Sequence, residues 1–446
     1  MSAAALALAG PAAAQQDPWS EAAAILRRIK APAYPDRDFT IERYGAVGDG
    51  QKDCTEAISR AIDECNRMGG GRVVMINGVY NTAAIHLKSN VNLHVAKGAT
   101  LRFLRDPKLY LPLVYTRWEG TECMNYSGFL YADNQENIAI TGEGTLDGNC
   151  DPQNWWNWVR GGAGNPNQTA ARARLVDMGA RDVPVQERVF GEGSYLRPSF
   201  IQPCHSRNVL IEGVTIINSP IWEVNPVLCT NVIVRGVKIN SHGPNNDGCD
   251  PDSCRDVLIE DCVFDTGDDC IAIKSGRNRD GRRVAAPTEN VIIRNCQMKD
   301  GHGGVTIGSE MSGSVRNVFA ENCMMSSPHL NEALRFKTNA MRGGTIENVH
   351  FRNIEIGEVS DAVLQIDFNY EEGSKGPELP VVRNLSLRNV TSKKSKYALN
   401  LRGFSNAPIR DVRLEDCQFE NVAQENVVEN VEGLVTRQVR MTRKGA

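Results

Sequence analysis

The chain has 446 residues, a formal net charge of −4 and 23 % charged residues. That balance gives no hint of nucleic-acid binding, and a polyanion would need a local basic site. Length alone suggests two or three domains, although a solenoid lengthens without needing a second core; no run after the N-terminus approaches the roughly 18 apolar residues of a membrane span.

Residues 1–16, MSAAALALAGPAAAQQ, join a short apolar run to small residues suited to cleavage after Ala14. They read as the end of a secretory signal whose basic start lies upstream, which places the mature protein in the periplasm or the medium. A disordered Ala-rich tail is the alternative. Trp19 to Lys30 reads as an amphipathic helix stopped by Pro32 and Pro35. Ile41 to Gly50, IERYGAVGDG, reads as a strand entering a Gly-Asp-Gly turn. Asp53 to Arg67 then reads as a helix, with Asp53 and Glu56 as a D-x-x-E capping box and Ile58, Ala61, Ile62 and Cys65 at helical spacing. A helix there would seal the open end of a stack of strands.

From about Val73 the pattern turns to repeats of the form Asn-Val-x-Ile-x-(Asn/Asp/Gly)-(Cys/Val/Ile)-x-(Ile/Phe/Met). They include NVLIEGVTI from Asn208, DVLIEDCVF from Asp256, NVIIRNCQM from Asn290 and DVRLEDCQF from Asp411. Starts between 208 and 411 lie 23 to 36 residues apart. Such β-rich units predict an all-β chain: one parallel β-helix with coils about 4.8 Å apart and Asn ladders at the turns. A leucine-rich horseshoe and a propeller lack their frameworks here. The thirteen cysteines include no C-x-x-C pair; Cys262, Cys296, Cys323 and Cys417 recur in one repeat slot, to which Gly213, Gly236 and Ile354 are also assigned. Mostly buried thiols are therefore expected. The reading is a single domain over 17–446 with an insertion at 149–200. In that insertion Trp155, Trp156 and Trp158 form a local packing core, or one of them stacks on a sugar.

The chemistry concentrates in Gly243–Gly276, GPNNDGCDPDSCRDVLIEDCVFDTGDDCIAIKSG. Asp247 and Asp268 lie 21 residues apart on glycine-flanked turns, close to one coil, and Asp269 adjoins Asp268. His302 follows Asp268 by 34 residues, and Arg335 follows His302 by 33. Those intervals match local coil lengths, so the groups can share one face. Arg335 and Lys337, two apart on a strand, point the same way. Asp beside Gly is often only a turn residue, but three converging carboxylates repel one another and are rarely kept for stability alone. Clustering raises the pKa of one member, which supplies a proton donor while the others activate water, the division of labour that glycoside hydrolysis requires. His302 can orient a carboxylate, and Arg335 and Lys337 offer a site for a sugar carboxylate or simply neutralise the acids. The Asp trio could instead hold Ca²⁺ as in a β-eliminating lyase, yet His302, Arg335 and Lys337 are poor company for a hard cation. No metal or cofactor is expected.

At these residues the chain resembles glycoside hydrolase family 28, the polygalacturonase family of right-handed parallel β-helices. The motifs are Asn245-Asn246-Asp247, Gly267-Asp268-Asp269, Gly301-His302-Gly303 and Arg335-Phe336-Lys337, in that order. Among family members it is most similar to bacterial exo-polygalacturonases, through TRWEGTECMNYS at 116–127, VFGEGSYLRPSF at 189–200, GPNNDG at 243–248 and GSEMSG at 308–313. The resemblance implies inversion, with Asp268 as general acid, Asp247 and Asp269 activating water and His302 supporting the acid. It also implies that Arg335 and Lys337 bind the substrate carboxylate and that Asn245 binds or positions substrate. Asn246 stands where fungal members commonly have Thr. The 149–200 insertion would wall off one end of the groove, with Arg197 as a candidate for the terminal galacturonate or as a loop anchor. The implied partner is pectic polysaccharide, with no nucleic acid and no membrane.

Overall fold

A computed structural model of the chain describes residues 17–159 and 166–443. The proposed cleavage after Ala14 lies outside the described residues. The architecture is a right-handed parallel β-helix whose strands pair almost entirely in parallel. Its largest sheet has 24 strands, in which coil lies on coil in register apart from irregularities near its two ends, at Asp49–Asp53 and Phe419–Val422. One inward column runs Val209, Val232, Val257, Val291, Val318, Val349, Leu385 and Val412. These side chains are buried, and together with their counterparts from the facing sheet they form one continuous core. Alternation alone does not describe these strands, because part of their outer face is covered too. Helix α1 (Trp19–Arg28) lays Trp19, Ala22 and Ile25 across Leu210, Ile233, Leu258 and Ile292. Burial on both faces explains runs such as Val-Leu-Ile and Val-Ile-Val.

The first residue of each repeat unit adopts a left-handed conformation, with φ between 53° and 61° from Asn137 to Asp411. Asn and Asp tolerate that region best among residues with a side chain. Their amides then bond from coil to coil: Asn208 Nδ2 to Asn137 Oδ1 at 2.8 Å, Asn317 to Asn290 at 3.1 Å, Asn348 to Asn317 at 3.0 Å and Asn384 to Asn348 at 2.7 Å. The expected ladder is present. A second left-handed position, five residues on, holds Asp261, Asn295, Asn322 and Asn353. Gly213 and Gly236 belong to this second position, with φ of 81° and 62°, and not to the cysteine slot to which the repeat reading assigns them. The slot of Cys262 is filled in those coils by the buried Val214 and Val237. All thirteen cysteines are buried and unpaired, and burial pushes most of their thiols up in pKa.

Helix α2 (Thr55–Arg67) presses Ile58, Ala61, Ile62 and Cys65 onto the first coil and closes that end of the core. Two local expectations fail at its entrance. Ile41–Tyr44 is a 3₁₀ turn ended by Gly45 at φ 97°, and the strand starts later, at Asp49–Asp53. The capping box does not form, because Asp53 accepts bonds from the backbone and hydroxyl of Thr55, while Glu56 turns outward to Arg60.

The ladder generates a graded expectation. Asn317→Ala loses two amide bonds and forces alanine into the left-handed region, and should cost about 2 kcal/mol. Asn317→Gly keeps the conformation and should cost about half as much. Urea unfolding of both variants checks the order, and equal losses would contradict the conformational part.

Candidate active site

Three turns and one strand carry the site, and backbone bonds lock them in order. Asp268 N donates to Asn246 O at 3.2 Å, His302 N to Asp268 O at 3.0 Å and Glu332 N to His302 O at 3.1 Å. Strand Glu332–Lys337 lies in parallel register on strand Gly303–Gly308, which sends Arg335 and Lys337 outward on the same side. One carboxylate oxygen from each of Asp247, Asp268 and Asp269 then falls within 4.8 Å of the other two. The acidic cluster expected from the spacing is therefore assembled.

The three carboxylates occupy different environments. Asp269 is fully buried; Lys337 Nζ donates to its Oδ2 at 2.7 Å and Arg335 Nη1 to its Oδ1 at 3.2 Å. Burial alone would raise its pKa, but Lys337, Arg335 and the more distant Lys274 outweigh that and hold it well below the usual carboxylate range. This contact requires Gly303, since a Cβ there would lie 2.8 Å from Asp269 Oδ1 and 3.2 Å from Arg335 Cδ. Asp247 is also buried, and burial together with Asp250 and Asp268 pushes it well up against the pull of Lys274. Asp268 alone keeps a solvent-facing edge, with 16 % of its side chain exposed. His302 Nδ1 lies 2.9 Å from Asp268 Oδ1 and is half-exposed above it. The hydrogen bond to Asp268 outweighs burial and raises the His302 pKa.

The oxygens of the trio are close enough to surround a cation, but Asp269 is already saturated by two side-chain cations, which makes the set a poor metal site. A second cluster among the described residues, His242, Asp265 and Asp300, lies toward the surface and is satisfied by its own pairings and by Ser327 and His329.

A family model for glycosyl hydrolases family 28 matches residues 191–439, which is more than half of the chain. The chain belongs to glycosyl hydrolases family 28. It is similar to the solved hyperthermoactive exopolygalacturonase from Thermotoga maritima, at 45 % identity over 95 % of this chain and 96 % of that one, with a TM-score of 0.92. Among curated proteins it is 27 % identical to a probable polygalacturonase of Vitis vinifera, covering 85 % of this chain and 74 % of that protein. It is 26 % identical to an exo-poly-alpha-D-galacturonosidase of Dickeya chrysanthemi, covering 87 % and 71 %. The protein is thus a glycoside hydrolase of the polygalacturonase type.

Of the two readings open for Arg197, a galacturonate ligand or a loop anchor, the contacts of the side chain favour the anchor. That guanidinium is fully buried, donating to Pro220 O and Pro244 O at 2.6 Å, to Asn245 Oδ1 at 2.8 Å and to Gln168 Oε1 at 3.3 Å. With its nitrogens so engaged it cannot bind a sugar; it anchors the Asn245 turn to the insertion. Asn245 itself lines a cavity of about 650 Å³. Asn246 is buried and structural, bonded to Ser219, Ile221, Ser241 and Gly243. Trp155 and Trp158 are packing residues as expected, and Trp156 wedges against Gly243 with its indole N–H on Ser219 O at 2.7 Å.

Several site neighbours escaped the sequence reading. Tyr370 places its ring 5.4 Å from Lys337 Nζ and 6.0 Å from the Arg335 guanidinium. Glu332, three residues before Arg335, has its pKa pushed up to about 7, chiefly by burial. Lys274, Asp250 and Glu310 lie beneath Asp247. Motif spacing does not reveal these residues, although a lysine directly after the buried strand Ile271–Ile273 was a usable signal.

The His302–Asp268 pair sets a pH expectation. A histidine raised above 6.5 adds stability that is present in full below that value and fades as pH rises through its folded pKa. An NMR titration should place the His302 midpoint above 6.5, and Asp268→Asn should return it toward the ordinary value. A midpoint at or below 6.5 in the wild type would rule out this electrostatic pairing.

Proposed function

We propose that the protein is an exo-acting polygalacturonase that removes galacturonic acid from the non-reducing end of α-1,4-linked galacturonate chains. The observation that carries the reading is the wall beside Asn245. Helix α3 (Thr169–Ala180) of the insertion brings Thr169 and Arg172 to the same cavity as Asn245, together with Glu119 from the tip of the 114–125 hairpin and Glu372. Arg172 Nε binds Glu119 at 2.6 Å, and Arg277 reaches Glu371 at 3.3 Å, so the pieces are tied to one another. Buried ion pairs fix them to the solenoid: Arg117 with Asp252 and Arg188 with Asp280, each at 2.7 Å. Removing one partner of such a pair strands a buried charge, which holds the wall rigid. A groove closed at one end admits a chain terminus and not a chain middle. The similarity to named exo-enzymes supports the same reading.

In this mechanism Asp268, facing the groove and hydrogen-bonded to His302, protonates the leaving oxygen. Asp247 and Asp269 activate the attacking water, with Asp269 kept ionised by Lys337 and Arg335. The edges of Arg335 and Lys337 that face Tyr370 receive the sugar carboxylate. Inversion is part of the proposal. By the general separation rule, acids this close favour retention. Asp269, clamped by two cations, and Asp247, buried, are nevertheless both poorly placed to form a covalent bond to sugar. The export to the periplasm or the medium proposed from residues 1–16 would place the enzyme where pectic chains or their fragments arrive.

Two measurements test this. Digestion of galacturonate oligomers of defined length should release monomer from the first minutes with little fall in polymer viscosity, and NMR should show the β-anomer appearing first. Early mixed oligomers would sink exo action, and an initial α-anomer would sink inversion. Asp268→Asn should lower kcat by about 10³-fold or more while the thermal unfolding midpoint changes little. Near wild-type turnover would remove Asp268 from its role.

A further inference from the structure

Below the three carboxylates lies a second layer of charge that the reaction scheme does not use. Lys274, at the end of strand Ile271–Ile273, is buried with its Nζ at the centre of this layer. It donates to Gly308 O at 3.1 Å and to Glu310 Oε2 at 3.3 Å, and it sits 4.7 Å from the centre of the Trp222 ring. Its remaining direction is toward Asp247 Oδ2 at 3.7 Å and Asp250 Oδ1 at 3.8 Å. Both distances exceed a hydrogen bond and lie within ion-pair range, so the ammonium acts on these two acids through its field.

The distribution of cations is uneven. Asp269 has Lys337 and a share of Arg335, which also reaches Glu332 at 3.4 Å, and Glu310 is also served by Arg277 at 3.2 Å. Among the described residues, Asp247 and Asp250 have only Lys274 within ion-pair distance. Asp250 makes no ordinary hydrogen bond with either oxygen, and Glu223, buried nearby, lacks a cation within that distance. The groups acting on Asp247 are therefore Asp250, Asp268, Asp269 and Glu223 on one side of the balance, and Lys274 with the more distant buried Arg197 on the other, while Glu223 also acts on Asp250.

We propose that Lys274 is a positioning residue for the reaction: its buried ammonium favours the ionised form of Asp247, the form that can accept a proton from water, in competition with Asp250. The inference rests on Asp247 being one of the water-activating carboxylates. It assigns no direct contact between Lys274 and substrate. In the catalytic step the water O–H bond breaks and Asp247 takes the proton, while the water oxygen bonds to the anomeric carbon as the glycosidic C–O bond breaks and the leaving oxygen takes its proton from Asp268. Lys274 keeps its protons throughout, consistent with the carboxylates around it outweighing burial and raising its pKa.

The test is the pH profile of kcat/KM in three variants, with Asp247→Asn as the control for the underlying assignment. Loss of the cation in Lys274→Met raises the Asp247 pKa, so the acid limb should move upward by roughly one pH unit or more, with KM on the alkaline side nearly unchanged. Loss of the competing carboxyl in Asp250→Asn should move that limb the other way. Lys274→Arg should restore the wild-type position, and should do so even if Lys274→Met proves too unstable to assay. A limb that stays in place in Lys274→Met, or that moves the same way in the Met and Asn variants, overturns the proposal. So does Lys274→Arg with its limb displaced as far as the methionine variant's or, where the methionine variant cannot be assayed, by a full pH unit. Activity that survives Asp247→Asn would instead refute the role of Asp247 itself, which separates the two failures.

Discussion

Everything in this molecule depends on coils stacking without slipping. A shift of one residue in a parallel ladder would turn every inward valine outward and every site residue inward, because side chains alternate along a strand. The register is held in two ways at once. Valine and leucine columns fill the interior, and left-handed Asn residues at the turns bond to their counterparts above and below. The first mechanism is strong and unspecific in position; the second is weaker per contact and specific. Together they let groups separated by 21 to 34 residues in sequence meet within a few ångströms.

On that frame the active site is a problem of charge supply. Seven carboxylates lie in or under the groove floor: Asp247, Asp250, Asp268, Asp269, Glu223, Glu310 and Glu332. Among the described residues, four lysine and arginine side chains reach them within ion-pair distance, Lys274, Arg277, Arg335 and Lys337, together with His302. How the cations are shared decides which acid is ionised: Asp269 sits below the usual range between Lys337 and Arg335, whereas Asp247 sits above it with a single shared ammonium. One cluster can thus hold acids of opposite character with no difference in side-chain chemistry, through burial and neighbours alone.

The sequence made the repeating core and the first layer of the site legible for the same reason. A coil length of 23 to 36 residues is visible as a period, and residues at matching phases of it must be neighbours. Asp247, Asp268, Asp269, His302, Arg335 and Lys337 follow directly. What the period does not carry was missed or misread. The 3₁₀ turn at Ile41–Tyr44 and the absent capping box are local choices made before the repeats begin. Arg197 lies in the insertion, where no phase relation says whether a guanidinium faces solvent or backbone carbonyls. Gly213 was assigned one position late because glycine fits a small-residue slot as readily as a left-handed one, and only the backbone angle distinguishes them. Lys274 and Asp250 are in phase with the site but point beneath it, a direction set by the curvature of the turn and not by spacing.

The wall beside Asn245 has a kinetic corollary. It is tied to the solenoid by buried guanidinium–carboxylate pairs, so moving it as a flap would separate charges that have no water to solvate them. In an exo mode, a sugar freed between the wall and the acids has its exit obstructed by the shortened polymer. Under the proposed exo action the polymer would have to withdraw before the monomer could diffuse out, so each cut would end in dissociation and turnover would be distributive. Tight binding along the open part of the groove would then slow turnover.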